Sequence, residues 1–390
     1  MKARMEDGRL ILSVSGHVDS ANAAAVEAEL MSELGGREHA GLTLDLEELG
    51  YISSAGLRVI LRLRKLEPEL RLVNVGQEVY EILSMTGFTE MMPVEKAFRR
   101  LSVEGCEAIG RGANGTVYRI DKDTVVKVYR NGDCLPEVRR ERELARKAFV
   151  LGIPTAIPYD VVRVGDSYGS VFELLNSKSF TKLLRAEPGR MDEFASSYVE
   201  VMRKLHSTRL EPGEMPSMKE TALAWEDYVR KGLPSESADK FMALLNGIPE
   251  QNTLLHGDYH TNNVVVQNEE VLIIDMDTLC LGHPIFELAF MWLAYVGFGE
   301  LDKKVCEDFF NLPSELLGSF WAKSLSLYLG TEDEERLRSV EDKAKVIGYV
   351  RLMRRTMKRG SMDNAFDRAT LEHCRSRLVE LLPSVDTLCF

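Results

Sequence analysis

The residues best suited to chemistry lie in Leu254–Val266, which reads LLHGDYHTNNVVV. His256, Asp258 and Asn263 stand there in an H-x-D-x-x-x-x-N spacing, between apolar flanks that can hold a loop rigidly. Beyond Val266, the run V-L-I-I-D-M-D reads as a buried strand ending in Asp275, nine residues on, and Asp277. Carboxylate and amide oxygens so placed suit Mg2+, a hard cation that takes oxygen ligands and retains substrate phosphates in its shell. Upstream, I-G-R-G-A-N-G-T-V sets Gly110, Gly112 and Gly115 in G-x-G-x-x-G-x-V. Glycines let backbone approach phosphates closely, because no Cβ intervenes and positive φ is tolerated. Lys127, within V-V-K-V-Y, presents an ammonium from a largely buried ribbon. Phosphoryl transfer is the chemistry these groups share, since it needs positioning and charge neutralisation more than covalent work from the protein.

Elements must bring these groups together. The glycine spacing alone also occurs in dinucleotide-binding turns, where it opens a helix. Here Thr116–Ile120 and Thr124–Tyr129 read instead as paired strands around the polar turn Asp121-Lys122-Asp123. The following helix sets Val138, Glu141, Ala145, Ala148 and Phe149 along one inward face, which makes Glu141 the acid best placed to meet Lys127, with Glu143 second and on another face. An isolated lysine on an edge strand often snorkels to solvent, and an isolated Asp at a strand end is commonly a turn former. The ordered set is harder to obtain by chance.

The first hundred residues form a unit of their own. Leu10, Leu12 and Val14, and again Leu42, Leu44 and Leu46, recur at period two and read as half-buried strands. Ala23, Val26, Leu30 and Leu34 line one face of a helix that stops at Gly35-Gly36. Leu57, Ile60 and Leu61 begin another helix that cannot pass Pro68. A third strand, Leu70–Val75, precedes a short helix with Val79, Ile82 and Leu83 on one face and Gly87 at its end. Ser53 and Ser54 stand at a helix start, where capping is the commonest task of serine. A helix N-terminus also stabilises a phosphoryl group.

Composition bounds the partners. The chain has 390 residues, 49 basic and 61 acidic, a formal charge of −12. That balance disfavours nucleic acid, whose phosphates need Lys and Arg fields. Acidity suits solubility and cationic substrates. The opening MKARMEDGRL lacks the apolar stretch of a secretory signal. The longest apolar run, Leu288–Phe298, is shorter than the ~18 residues of a spanning helix, so no membrane partner and a cytoplasmic location are expected. Six scattered cysteines, with no C-x-x-C pair, read as reduced structural thiols.

Two resemblances follow from these motifs. Asp45–Leu61, DLEELGYISSAGLRVIL, resembles the STAS domain of bacterial anti-sigma-factor antagonists. In that family a serine at the helix start is phosphorylated by a partner kinase; it matches Ser54, with Ser53 where many members carry Asp. Cys106–Phe390 resembles the aminoglycoside phosphotransferase and choline kinase branch of the protein-kinase-like fold. That resemblance implies ATP and Mg2+, with Lys127 on ATP phosphates, Asn263 and Asp275 on the metal, and Asp258 orienting or deprotonating an acceptor hydroxyl. It also implies a hinge at Val171–Leu175, with Glu173 and Leu175 near adenine. D-M-D replaces the D-F-G of protein kinases, and G-H-P-I-F-E-L-A follows at once, with Glu287 where Asp is commoner in small-molecule kinases.

The expectation is a multidomain α/β and α+β chain. Residues 1–100 form a STAS-like regulatory or binding domain, 105–175 the N-lobe of a bilobal kinase-like fold, and 176–390 a largely helical C-lobe with the acceptor pocket. The acceptor expected is a small amine, sugar or aminoglycoside-like molecule. The alternative is a regulatory protein that phosphorylates serine or binds a partner through its STAS-like part. Trp225, with Glu226 and Asp227, reads as core more readily than as an amine site. The run Arg351–Arg359 reads as a solvated helix face.

Overall fold

The computed structural model describes residues 2–112, 115–132, 134–359 and 364–390. Two units emerge: one runs to Ser102 and takes in Val162–Gly165, and the other comprises Val103–Val161 and Asp166–Phe390.

The first unit runs β1 (Lys2–Glu6), β2 (Arg9–Ser13), β3 (Gly16–Val18), α1 (Ala23–Gly35), β4 (Leu42–Asp45), β5 (Leu49–Ile52), α2 (Ser54–Leu66), β6 (Arg71–Val75), α3 (Gln77–Met85), α4 (Phe88–Met91), β7 (Val94–Lys96) and β8 (Arg99–Arg100). Its main sheet has the order β1-β2-β4-β6-β7. The β1–β2 pair is antiparallel, and the rest are parallel. Asp7 and Gly8, both at positive φ, make the hairpin turn between β1 and β2. Leu10, Leu12, Leu42 and Leu44 share a core with Leu57, Ile60 and Leu63 of α2.

The half-buried reading of β2 and β4 is corrected. Ile11, Thr43 and Asp45, on the opposite face, are buried too. Polar side chains close over that face: Arg9 Nε donates to Thr43 Oγ1 at 3.3 Å, and Asn74 Nδ2 to Asp45 Oδ1 at 3.0 Å. Ser53 is the cap of α2, its hydroxyl accepting from Ala55 N at 3.2 Å, while Ser54 is the first helical residue and is exposed.

The second unit begins with β9 (Ala108–Arg111), β10 (Gly115–Arg119), β11 (Thr124–Tyr129), α5 (Leu135–Val150), β12 (Pro158–Val164), whose last three residues fall to the first unit, and β13 (Ser167–Glu173). The strands lie in the order β12-β13-β11-β10-β9. Asp121 makes the β10–β11 turn, its Oδ1 accepting from the backbone of Asp123 and Thr124 at 2.8 Å each. Helix α5 buries Val138, Glu141, Leu144, Ala145 and Ala148. Phe149 is a correction: it is exposed, because 100° per residue sets it roughly 80° from the centre of that face, and Leu144 takes the inward place.

Next come β14 (Lys178–Ser179), α6 (Phe180–Ala186), α7 (Met191–Ser207), α8 (Met218–Leu223), α9 (Glu226–Gly232) and α10 (Ser235–Asn246). Short strands β15 (Leu254–Leu255), β16 (Val264–Gln267), β17 (Glu270–Ile273) and β18 (Cys280–Leu281) carry the chemical segment. Helices α11 (Ile285–Tyr295), α12 (Lys304–Phe310), α13 (Ser314–Leu329), α14 (Glu334–Lys358) and α15 (Ala365–Leu381) complete it. The apolar run is α11, buried almost all round. Helix α14 packs closely on it at Gly348, where a Cβ would stand 2.7 Å from the Trp292 ring. Among the described residues no helix is long and apolar enough to cross a membrane.

Candidate active site

On the sheet side, β9 and β10 form the arms of the glycine-rich hairpin, with Gly110 opposite Val117. Gly112 N donates to Gly115 O at 2.9 Å. Gly115 is required by close approach, since a Cβ would lie 2.2 Å from the Val128 carbonyl oxygen. Ala113 and Asn114 of this loop lie outside the described residues. Lys127 sits on β11, paired with Val117 on one side and Ser170 on the other.

Its Nζ donates to Glu141 Oε1 at 2.9 Å and to Asp275 Oδ1 at 2.8 Å, so one ammonium ties β11, α5 and the segment after β17 together. Burial works against the ammonium, yet the two carboxylates prevail and hold Lys127 above the ordinary lysine range. Burial pushes Glu141 up to about 7, against the pull of Lys127. Glu143 is exposed on another face. Glu173 ends β13, its N–H donating to Ile157 O at 3.0 Å, while Leu174 N donates to Asp123 O at 2.7 Å and Leu175 is half-buried.

The H-x-D loop is held from below by one buried carboxylate. Glu287, on α11, accepts from His256 N at 2.6 Å and from Gly257 N at 3.0 Å. His206 of α7 lies 3.5 Å from that carboxylate. Burial would raise the Glu287 pKa, but His206 and the loop N–H groups bring it below the usual value. Gly257 has φ +79°, and a Cβ there would sit 2.5 Å from the Thr278 carbonyl oxygen. His256 Nε2 lies 3.1 Å from Ile274 O, and Thr278 Oγ1 donates to His256 O at 2.8 Å. Both bonds lock the loop to the segment carrying Asp275.

Asn263 Nδ2 closes the loop by donating to Asp258 O at 3.1 Å, and Asn263 O accepts from Ile274 N at 2.9 Å. The Asp258 carboxylate is partly exposed, with His260 Nε2 3.5 Å from Oδ2. Burial pushes its pKa up; His260, Arg351 and His256 outweigh this and hold it well below the usual carboxylate range.

Asp275 adopts the left-handed conformation, φ 66° and ψ 63°, sparsely populated for a non-glycine residue. Asp277 is pushed up by burial and by the charge of Asp275. Among the described residues no three His, Cys, Asp or Glu side chains form a ready metal cage. Mg2+ is held through one or two carboxylates and completes its shell with water and phosphate. Asp275 and Asp277 repel one another in the segment whose Ile274 N donates to the Asn263 carbonyl, and their hard oxygens fit such an ion.

Several contributors were not assigned from the sequence. Glu287 was noted only as a motif position, and His206 and His260 were passed over; the buried i+2 histidine after Asp258 was the available signal. The run Arg351–Arg359 is corrected. Arg351 and Arg354 are half-buried, and Arg351 Nη1 donates to Gly257 O at 3.3 Å. Arg354 lies 5.4 Å from the centre of the Trp225 ring, which is buried as core, while Glu226 pairs with Arg230 at 2.8 Å.

The second unit therefore has a strand lysine, a helix glutamate and two loop segments bonded to one another, the plan of a protein-kinase-like fold. A family model described as the phosphotransferase enzyme family matches residues 105–316, more than half of the chain, and the chain belongs to that family. Residues 1–101 match the STAS domain model, and the first unit is a STAS domain. A Bordetella bronchiseptica protein that carries the name anti-sigma factor antagonist BtrV is 43% identical over 100 residues, 24% of this chain and 85% of that protein. Among solved structures, the chain is similar to a choline/ethanolamine kinase family protein from Mesorhizobium loti, with 16% identity, a TM-score of 0.46, and 71% and 87% of the two chains covered. It is likewise similar to ADP-bound aminoglycoside phosphotransferase APH(2'')-Ib, with 15% identity, a TM-score of 0.49, and 80% and 99% covered.

Proposed function

We propose that this phosphotransferase moves the γ-phosphoryl group of ATP to a hydroxyl of a small molecule. The carrying observation is the ion-pair bridge from Lys127 to both Glu141 and Asp275, beside an Asp258 loop locked to the same segment. In this reading residues 105–175 are the N-lobe and 176–390 the C-lobe with the acceptor pocket. Gly110, Gly112 and Gly115 let backbone N–H groups approach the phosphates, and Glu173 and Leu175 lie at the adenine hinge. Lys127 is fixed by Glu141 and neutralises phosphate charge. Asn263 and Asp275 hold Mg2+, which supplies charge neutralisation at the transferring group.

Asp258 orients the acceptor hydroxyl and takes its proton as the new O–Pγ bond forms. The bond from Pγ to the bridging oxygen breaks, ADP leaves with that electron pair, and the proton passes from Asp258 to solvent. A carboxylate held ionised across neutral pH is ready to receive it. ATP as co-substrate supports a cytoplasmic location.

A second reading concerns the STAS domain. Because Ser53 supplies the helix cap, the exposed hydroxyl of Ser54 is not needed for it. That favours a phosphorylatable serine through which this domain binds a partner protein and regulates or is regulated. The primary reading is tested by Asp258→Asn. It should lower acceptor-dependent ADP release by about 10²–10⁴-fold, while Mg·ATP binding by calorimetry stays close to that of the parent. Turnover at the parent rate would remove the assignment.

A further inference from the structure

Two arginines stand near Asp258 in a chain whose formal charge is −12. Arg351 and Arg355 stand one turn apart on α14. The Arg351 guanidinium lies 3.4 Å from the centre of the Phe290 ring and uses one N–H on the Gly257 carbonyl, immediately before Asp258. Arg355 is exposed and lies 4.8 Å from the centre of the Phe298 ring. Both guanidinium groups sit within the electrostatic reach of Asp258.

Neither arginine has a carboxylate within ion-pair distance among the described residues, although acidic side chains outnumber basic ones. A guanidinium stacked face-on against a ring keeps its in-plane N–H edge for oxygen acceptors, and that edge matches a carboxylate or phosphate with two parallel bonds. Burial disfavours the Arg351 charge, and Asp258 and Glu287 supply its counter-charge; Arg355, exposed and one turn further on, keeps its edge for a bound anion. A cationic acceptor approaching Asp258 would meet two like charges.

We infer that the acceptor is an anionic hydroxylated metabolite, whose carboxylate or phosphate is engaged by Arg355 while Arg351 positions the Asp258 loop beside it. This rests on the kinase reading above. It narrows the expected acceptors away from amines and aminoglycosides.

The test measures ADP release by the full chain with hydroxy acids, sugar phosphates, neutral sugars, and cationic amino alcohols or aminoglycosides. The parent should prefer one of the two anionic classes, and the choice between them tells carboxylate from phosphate. Arg355→Gln should raise KM for that acceptor about tenfold or more, with a smaller change in kcat, and Arg355→Lys should recover part of the loss. Preference for neutral or cationic acceptors, with a selectivity that Arg355→Gln leaves unmoved, overturns the inference and leaves the kinase standing. A rise in KM for ATP alone likewise overturns it, assigning Arg355 to the nucleotide. Absence of ADP release from every class removes the kinase reading, and this inference with it.

Discussion

Glu141 is a buried carboxyl group and Asp258 a partly exposed one, and their surroundings drive them in opposite directions. Glu141 has one oxygen on Lys127 and the other buried without a hydrogen-bond partner, and burial raises it to about 7. Asp258 faces cations and stays ionised. Protonating Glu141 frees Lys127 from its anchor, so the rate should fall as pH drops through about 7. Glu141→Gln should lower kcat/KM and abolish that acid limb in a pH–rate profile. The sign for stability is the reverse. A folded-state pKa raised from 4.5 to about 7 means the folded chain binds this proton more tightly, so the contribution is complete below 4.5 and lost as pH rises through 7. Asp258, with its lowered pKa, contributes stability above its unfolded value and loses it in acid.

At the scale of elements, Glu287 connects α11 to the Asp258 loop by accepting two backbone N–H groups in a fully buried setting. Glu287→Gln keeps one acceptor oxygen but turns an amide donor toward a loop donor. A buried donor left unsatisfied costs about 1–3 kcal/mol. The variant should therefore show a lowered melting temperature together with a reduced kcat, and an unchanged kcat would detach Glu287 from loop placement. Much of this architecture was legible from the chain. Period-two leucines marked β2 and β4, the Asp121 turn marked the β10–β11 hairpin, and Glu141 fell on the helix face that meets Lys127. The Asp7-Gly8 pair was a readable hairpin signal that went unused, which left β1 unassigned. Other features were not written locally. Thr43 and Asp45 are buried where Arg9 and Asn74 reach them from other strands, and α14 meets the Asp258 loop through packing that no sequence spacing reveals.

At the scale of the whole molecule, two separate hydrophobic cores serve two kinds of work. One is built on Leu10, Leu44 and Leu63 and belongs to the STAS domain. The other, around Trp292, Phe286 and Tyr349, supports the phosphotransferase. Net acidity says little about local chemistry, since Arg351 and Arg355 both stand near Asp258. The division of labour turns on where phosphate goes. The full chain, incubated with Mg·ATP and the acceptor panel, should be followed by mass spectrometry of both the small molecules and the protein. We predict phosphate on an acceptor hydroxyl, accumulating over many turnovers, with the chain itself unmodified. Phosphate found on the chain alone, and lost in Ser54→Ala, would contradict a small-molecule phosphotransferase.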